Sequence, residues 1–263
     1  MKEFLGFGGY AREAEGAYSW QHLLFVGSLL TIMAVLAILL GRRNRNASLQ
    51  QKNKVIIASA LLIDAFEIFK IVVLCLRSES LRPILHNLPL FLCSIQLIAL
   101  PLAAFTKGRI EEAAIDFVCI FGILGAVFGT IGAAQNYNAY PVLSMDNVVS
   151  GITHCISGFA SLYILFSRME RMRKENMLIT YSLLIVFCIL AYVANILVDY
   201  NYMFLMAGDG TPYDILYNLV NGNRVLYPVL VVALFLIYIS AYYWIFHLIT
   251  HKRKEKAETC CVA

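Results

Sequence analysis

A thiol and an imidazole stand out in this 263-residue chain as a pair that could do chemistry. Cys93 and His154 lie in two different apolar stretches of the sequence. An imidazole can take the proton of a neighbouring thiol and leave a thiolate, a nucleophile suited to acyl transfer. Both residue types also occur without chemistry, because buried cysteine is a common small hydrophobe and a membrane histidine often bonds only to another helix.

The elements that must position this pair are membrane helices. Hydrophobic residues make up 60% of the chain and charged residues 14%, whereas soluble domains carry about 45–50% and about 25%. Apolar runs of about 20 residues, enough to cross a bilayer as a helix, occur seven times. The sequence therefore predicts an all-α bundle of seven transmembrane helices that forms one domain over residues 1–263. The predicted spans are residues 21–40, 55–76, 85–105, 113–134, 148–166, 177–198 and 225–249.

The placement of Lys and Arg in the loops predicts the orientation of the bundle. Alternate loops, together with the C-terminal tail, carry fifteen of the 21 basic residues, and the opposite side carries five. The positive-inside rule makes the basic side cytoplasmic, so the N-terminus lies outside and the C-terminus inside. This asymmetry accounts for the net charge of +4. We expect a multi-pass protein of a cell membrane, the bacterial cytoplasmic membrane, with lipid and not nucleic-acid partners.

Polar residues inside the spans are costly in lipid and mark candidate sites. On the third span, His86, Cys93 and Gln96 are predicted to share one helix face, with Pro89 and Pro101 bending the helix. The fifth span carries small and polar residues at spacings of three and four, a pattern that predicts an inward-packed face. This stripe consists of Asn147, Gly151, His154, Gly158 and Ser161.

Two further spans add polar groups that are also expected to point inward. The second span contributes Asp64, Glu67 and Lys70. The sixth contributes Cys188, Tyr192, Asn195 and Asp199. From these elements we predict a supporting polar site around the Cys–His pair, made of Gln96, Asn195, Glu67, Lys70, His86, Asp199 and Tyr202.

Cys93 and His154 are predicted to lie at one depth in the membrane. The third and fifth spans both run from outside to inside, so distances from their outer ends are comparable. Each residue is seven or eight positions in, which is roughly 10–12 Å at 1.5 Å per residue. Contact between the two side chains is therefore allowed.

Two other functions also fit the sequence. A transporter or channel would use Asp64, Glu67 and Lys70, although these charges can equally pair with each other or with Asp199, and no inverted repeat is visible. A sensor would bind a ligand under the long outer loops, residues 135–147 and 199–223, without chemistry. The sequence shows no set of metal ligands with suitable spacing and no phosphate-binding glycine loop, so neither a metal nor a cofactor is expected.

Three stretches carry a family resemblance. They are His86-Asn87-Leu88-Pro89-Leu90-Phe91-Leu92-Cys93-Ser94-Ile95, the His154 stripe followed by Leu162-Tyr163, and Asn201-Tyr202-Met203-Phe204-Leu205. Together they resemble the YwaF-like integral membrane family, which includes transmembrane protein 164. The similarity extends from the second span to the seventh.

The resemblance implies lipid chemistry. Animal transmembrane protein 164 is regarded as a lipid acyltransferase that uses a membrane cysteine, and the distantly similar androgen-induced family hydrolyses fatty-acid esters with a threonine and a histidine. Carried over, the nucleophile and base roles fall on Cys93 and His154. The family often has a second histidine where this chain has Phe91, so help from that position is not expected. We therefore expect a lipid acyltransferase or acyl-ester hydrolase near the outer leaflet, with Gln96 and Asn195 as candidate oxyanion donors.

Overall fold

All regular structure in the described part of the chain is helical. The computed structural model describes residues 2–169 and 172–262, with side chains up to residue 249. Within those ranges there are ten α-helices, one short 3-10 helix and no strand, which confirms the all-α prediction. The chain divides into two compact units, Met1–Glu170 and Arg171–Ala263. Arg171 and the basic side chains from Lys252 onward, which enter the orientation prediction, lie outside the described part.

Both units are built from long apolar helices joined by shorter ones. The first unit contains α1 (Trp20–Arg43), α2 (Leu49–Ser78), α3 (Arg82–His86), α4 (Gln96–Phe105), α5 (Arg109–Phe128), α6 (Ala134–Ala139) and α7 (Met145–Ser167). The second unit contains α8 (Lys174–Val198), the 3-10 helix (Tyr202–Phe204), α9 (Asp214–Leu219) and α10 (Leu226–Val262).

Serine caps define where three long helices of the first unit begin. The side chains of Ser19, Ser48 and Ser144 each accept a hydrogen bond of 3.3 Å from a backbone N–H in the first turn of α1, α2 and α7. Such caps satisfy donors that the helix itself leaves unpaired, and each typically stabilises a helix by about 1 kcal/mol.

Four helices of the described part are long and apolar enough to cross a membrane, namely α1, α7, α8 and α10 as far as Ile249. They differ in burial, because 56% of the apolar stretch of α7 is buried and only 17% of that of α1. α7 is therefore a core helix of its unit, whereas α1 exposes most of its apolar surface. The chain is thus a membrane protein with several apolar helices, of which α7 carries His154.

The prediction of one continuous helix over residues 85–105 is wrong. The helical structure stops at His86 and resumes at Gln96, leaving an irregular segment between α3 and α4. Pro89 explains the break, because it has no N–H to donate and disfavours helical geometry at Leu88. The N–H of Leu90 instead donates to the Leu88 carbonyl at 2.7 Å, forming a tight turn. Pro101, by contrast, is accommodated inside α4.

The N-terminal segment is attached to the ends of α2 and α7 by an ionic network. Arg77 on α2 donates two hydrogen bonds of 2.8 Å to the carboxylate of Asp146 on α7. The hydroxyl of Tyr10 donates to the same carboxylate at 2.5 Å. The backbone N–H of Met145 donates to the carbonyl of Phe4 at 3.0 Å. Because the Arg–carboxylate contact is bidentate and mostly buried, it fixes the relative position of the two helix ends.

The opposite end of α7 is held by Tyr163. Its buried hydroxyl accepts a hydrogen bond of 3.0 Å from the side chain of Asn44, which caps the C-terminus of α1. The same hydroxyl donates to the backbone carbonyl of Lys52 in α2 at 3.3 Å. Both ends of α7 are therefore tied to α2, the helix that carries Glu67 and Lys70.

The network at Tyr10 predicts a pH-dependent stability. Burial, followed by the hydrogen bond to Asp146, raises the pKa of Tyr10 from 10.0 to about 12. A pKa that is higher in the folded state means stabilisation that is complete below pH 10 and is lost as the pH rises through about 12. We expect Tyr10→Phe to lower the unfolding temperature in detergent at neutral pH, with the difference from wild type shrinking between these two values.

Tyr18→Phe is the matched control, because Tyr18 belongs to the same N-terminal segment and its side chain is 59% exposed. This substitution should leave the unfolding temperature close to that of wild type throughout the pH series. A difference between Tyr10→Phe and wild type that stayed constant up to pH 12 would contradict the assignment of the phenol as a donor to Asp146.

Candidate active site

Cys93 and His154 face one small cavity in the first unit. The cavity has a volume of about 60 Å³. Its walls come from α2, from the turn that precedes α4 and from α7. They consist of Ile63, Glu67, Lys70, Cys93, Ser94, Leu97, Thr153, His154 and Ser157. Four residues of the sequence prediction, Cys93, His154, Glu67 and Lys70, are thus brought together.

Cys93 is positioned by the turn that follows the Pro89 break. The turn is closed by backbone hydrogen bonds from Ile95 to Phe91 at 3.0 Å and from Gln96 to Cys93 at 3.3 Å. α4 begins immediately afterwards, so the thiol lies just before a helix N-terminus. The Cys93 side chain is partly buried and lines the cavity together with those of His154 and Ser94.

The hydrogen bond of His154 defines which ring nitrogen can act as a base. Nδ1 lies 2.7 Å from the backbone carbonyl oxygen of Ser150, one turn earlier on α7. A carbonyl can only accept, so Nδ1 carries the proton and donates a hydrogen bond to Ser150. In the neutral ring, Nε2 is then the acceptor. The histidine is therefore in a tautomer that can act as a base at the cavity it shares with Cys93.

Glu67 and Lys70 add an ion pair to the cavity. Their side chains, one turn apart on α2, are 2.6 Å apart and are 12% and 17% exposed. Of the three charges on this helix, Glu67 and Lys70 thus pair with each other, as the sequence allowed. Because both side chains line the cavity, the pair also belongs to the environment of the Cys–His couple.

Two glycines on α5 make room for the Cys–His pair. A Cβ on Gly129, which caps the C-terminus of α5, would overlap Cδ2 and Nε2 of the His154 ring. A Cβ on Gly125, one turn earlier, would lie 3.3 Å from Cβ of Cys93. Any larger residue at Gly129 would displace the imidazole.

The sequence prediction missed these glycines, although a signal for them was present. Gly125 and Gly129 are four residues apart in an apolar helix, the spacing of the small-residue motif that lets membrane helices approach closely. Gly122 extends the series, and a Cβ there would lie 2.6 Å from the backbone oxygen of Ser157. At Gly122 and Gly129, α5 therefore presents its backbone, without side chains, to α7.

The inward-packed stripe predicted on α7 is confirmed. Asn147, Gly151, Gly158 and Ser161 are buried. A Cβ on Gly158 would lie 2.5 Å from Cβ of Ala126 and from Sδ of Met33, so α7 contacts both α5 and α1 at this point.

Two predicted members of the supporting site do not point inward. His86 is exposed at the end of α3, because the break at Pro89 removes it from the helix that would have aligned it with Cys93. Asp199 is exposed as well. It ends α8 in the left-handed conformation, with φ of 53°, and so leaves the helix face predicted to carry it. For these two residues the prediction is wrong.

The remaining predicted members, Gln96, Asn195 and Tyr202, are buried, and Gln96 does not line the cavity. Gln96 is fully buried at the start of α4. In the second unit, the Asn195 amide donates to the backbone carbonyl of Tyr202 at 3.1 Å and accepts from its N–H at 2.6 Å. The structure thus gives Asn195 and Tyr202 a local role, because their hydrogen bonds close the loop after α8.

The packing at Gly129 predicts a specific coupling to His154. Gly129→Ala should lower the free energy of unfolding by about 1–3 kcal/mol, because the added methyl overpacks the site. In a His154→Ala background the same change should cost about 1 kcal/mol less, since the imidazole is no longer there to be displaced. Denaturant unfolding of the two single variants and the double variant in detergent measures this coupling.

Gly27→Ala on α1 provides the control, because a Cβ at Gly27 meets nothing within 4 Å. It should change stability by no more than about 0.5 kcal/mol. Equal costs for Gly129→Ala with and without the imidazole would show that His154 does not occupy this space.

Comparisons with known proteins place the chain in a family. No curated protein and no solved structure matches it. A family model does match, over residues 17–243, which include α1 to α9 and most of the apolar part of α10. Because the match covers most of the chain, including Cys93 and His154, the protein belongs to the TMEM164 family.

Proposed function

We propose that this protein is a membrane-embedded acyl-transfer enzyme in which Cys93 is the nucleophile and His154 the base. The observation that carries the proposal is that the thiol and the imidazole line the same cavity. The orientation of the ring supports it, because the hydrogen bond from Nδ1 to Ser150 leaves Nε2 to receive the thiol proton. The acyltransferase role implied by the family resemblance agrees with this chemistry.

The reaction proceeds in two steps, acylation of Cys93 and transfer of the acyl group to an acceptor. The Cys93 proton moves to Nε2 of His154 while the sulfur forms a bond to the carbonyl carbon of a lipid ester. The carbon–oxygen bond of the ester then breaks, the leaving alcohol takes the proton from the imidazolium, and a thioester remains on Cys93. In the second step an acceptor hydroxyl, from another lipid or from water, gives its proton to His154 and attacks the thioester. The sulfur leaves and recovers its proton.

The size of the cavity supports a substrate that enters only by its reacting group. A volume of about 60 Å³ exceeds the ~10–15 Å³ that one water needs but falls far below the ~300–1,000 Å³ of a pocket for a whole small molecule. An ester carbonyl fits, whereas acyl chains do not. Lipid is therefore the suitable substrate class, because its chains stay in the surrounding hydrocarbon while the ester enters.

One feature of the site favours a thiolate. Cys93 lies just before the N-terminus of α4, where the helix dipole stabilises negative charge. Lys70 is paired with Glu67, so these two side chains together add no net charge to the cavity. The helix dipole thus lowers the cost of moving the thiol proton to the imidazole.

For the membrane arrangement we propose seven spans, with the N-terminus outside and the C-terminus in the cytoplasm of a bacterial cell. α2, the α3–α4 segment and α5 would add three spans to the four long apolar helices. α5 fits this role because eleven of its twenty residues are buried, including Asp116, and its other charged residues lie in its first turn. The loop asymmetry of Lys and Arg supports the orientation.

Loss of the nucleophile or the base tests the function. In vesicles of phosphatidylethanolamine and phosphatidylglycerol that carry one isotope-labelled acyl chain, wild type should move label to other lipids or to free fatty acid. Cys93→Ala and His154→Ala should each lower turnover by about 10³-fold or more, because each removes a member of one catalytic unit. Mass spectrometry of the Cys93 peptide should find the acyl thioester in wild type.

Cys155→Ala is the matched control, since this buried thiol directly follows His154 and does not line the cavity. It should turn over label at the wild-type rate. Full turnover by Cys93→Ala, or the absence of both turnover and thioester in wild type, would overturn the proposal.

The topology is tested at the two ends of α5. Lys107 and Asn136 are exposed on either side of this helix. A membrane-impermeant maleimide should label Asn136→Cys in intact cells and label Lys107→Cys only after permeabilisation, both relative to the unaltered chain. Labelling of both variants in intact cells would show that α5 does not cross the membrane.

A further inference from the structure

Ser157 on α7 has a buried hydroxyl without a hydrogen-bond partner among the described residues. The residue is 2% exposed and lines the cavity shared by Cys93 and His154. Leaving a buried polar group unpaired costs about 1–3 kcal/mol, so native structures retain few of them. An unpaired hydroxyl at this position therefore indicates a hydrogen-bond partner that is present only when another group occupies the cavity.

Other hydroxyls on α7 and near the end of α5 have partners. On α7 itself, Thr153 donates to the backbone carbonyl of Ser150 at 3.0 Å, and Ser161 donates to that of Cys119 on α5 at 2.6 Å. Thr130, near the end of α5, donates to the carbonyl four residues earlier at 2.6 Å. The same kind of bond is open to a serine in α7, yet Ser157, which lines the cavity, does not form one.

Most other polar groups that line the cavity have partners. Glu67 and Lys70 pair with each other. Thr153 and Nδ1 of His154 both bond to the backbone carbonyl of Ser150. Among the described residues of the lining, Ser157 is the one with a buried polar atom that lacks a hydrogen-bond partner.

The position of Ser157 relative to His154 suits a group bound to Cys93. The two residues are three positions apart on α7, which is about 4.5 Å of rise and nearly one helical turn. Both side chains therefore face the same cavity at neighbouring levels. An acyl carbonyl attached to the Cys93 sulfur would therefore lie near both the base, His154, and the hydroxyl donor, Ser157.

We propose that Ser157 is a further catalytic residue, whose hydroxyl donates a hydrogen bond to the oxyanion that forms when Cys93 attacks the ester carbonyl. The proposal rests on the proposed acyl-transfer function and adds the group that stabilises its transition state. As the carbon–sulfur bond forms, the electron pair of the carbonyl double bond moves to oxygen, and this oxygen accepts from Ser157. When the intermediate collapses, the pair returns and the alcohol leaves with the proton from His154. Ser157 keeps its own proton throughout.

The same donor serves both halves of the reaction. Attack of the acceptor on the thioester again places negative charge on the carbonyl oxygen, so the Ser157 hydroxyl donates to an oxyanion in both steps. A hydroxyl held only by a tight structural bond could not reorient to the oxyanion at no cost, whereas an unpaired one loses nothing when it does. The stability lost by leaving Ser157 unpaired is thus offset in the transition state.

The test compares two serine-to-alanine changes on one helix. In the vesicle assay with labelled phospholipid, Ser157→Ala should lower kcat by about 10²–10³-fold, the usual effect of removing an oxyanion donor, with KM within about threefold of wild type. Ser167→Ala, whose hydroxyl donates to the carbonyl of Ile164 within α7 and lies outside the cavity, should keep kcat within about threefold of wild type.

A second measurement distinguishes stabilisation of the oxyanion by Ser157 from positioning of the Cys93 thiol. Iodoacetamide alkylates a thiolate without forming an oxyanion, so alkylation of Cys93, followed by mass spectrometry of its peptide, should be equally fast in Ser157→Ala and wild type. The unfolding temperature of Ser157→Ala should equal or exceed that of wild type, because an unpaired buried hydroxyl has been removed.

The outcomes distinguish this inference from the function on which it rests. Wild-type kcat in Ser157→Ala, together with a dead Cys93→Ala, would overturn the role of Ser157 and leave the nucleophile in place. Equal slowing of alkylation and turnover in Ser157→Ala would overturn it as well, since the hydroxyl would then act on the thiol. Full turnover in Cys93→Ala would overturn both proposals.

Discussion

The close approach of α5 and α7 is the constraint on which the site depends. Along this contact Gly122 meets the backbone of Ser157, Gly129 meets the ring of His154, and Ser161 donates to the backbone of Cys119. Membrane helices gain little from hydrophobic association in lipid, so small residues and interhelical hydrogen bonds must supply the attraction. The same absence of side chains on α5 that permits the contact also leaves the space that the imidazole occupies. Packing and chemistry therefore use one set of glycines.

Interruption of the third apolar segment is the second requirement. In a continuous helix, the direction of the Cys93 side chain would be fixed by the helix. The turn after Pro89 instead lets the thiol face the same cavity as His154, and α4 starts only after this turn. Irregular backbone at membrane depth is tolerated where protein covers it or where it lines a cavity. Both conditions hold here, since Leu90 and Ile95 are buried and Cys93 lines the cavity. The break at Pro89 thus places Cys93, the proposed nucleophile, at the cavity.

The sequence predicted the helical class and the convergence of Cys93 and His154. Both predictions depend only on features of single helices, namely the spacing of polar residues and the number of residues from the helix end. It failed at His86 and Asp199, where the outcome depends on how a helix terminates rather than on its period. It also missed Gly129 and Ser157, for a different physical reason. The value of a glycine or an unpaired serine lies in what the facing helix presents, and a one-dimensional pattern does not encode that partner.

Charge balance links these features to the membrane. An isolated charge is expensive inside a membrane protein, and the resting cavity avoids one, because the Glu67 carboxylate offsets the Lys70 ammonium. In the proposed reaction, proton transfer from Cys93 to His154 would create opposite charges side by side and leave the total unchanged. The proposed attack on the carbonyl would then move negative charge from sulfur to an oxygen farther from the imidazolium. A site with low polarity makes a donor at that oxygen worth more than it would be in water. The unpaired hydroxyl of Ser157 lies on the wall of the cavity in which that charge would develop.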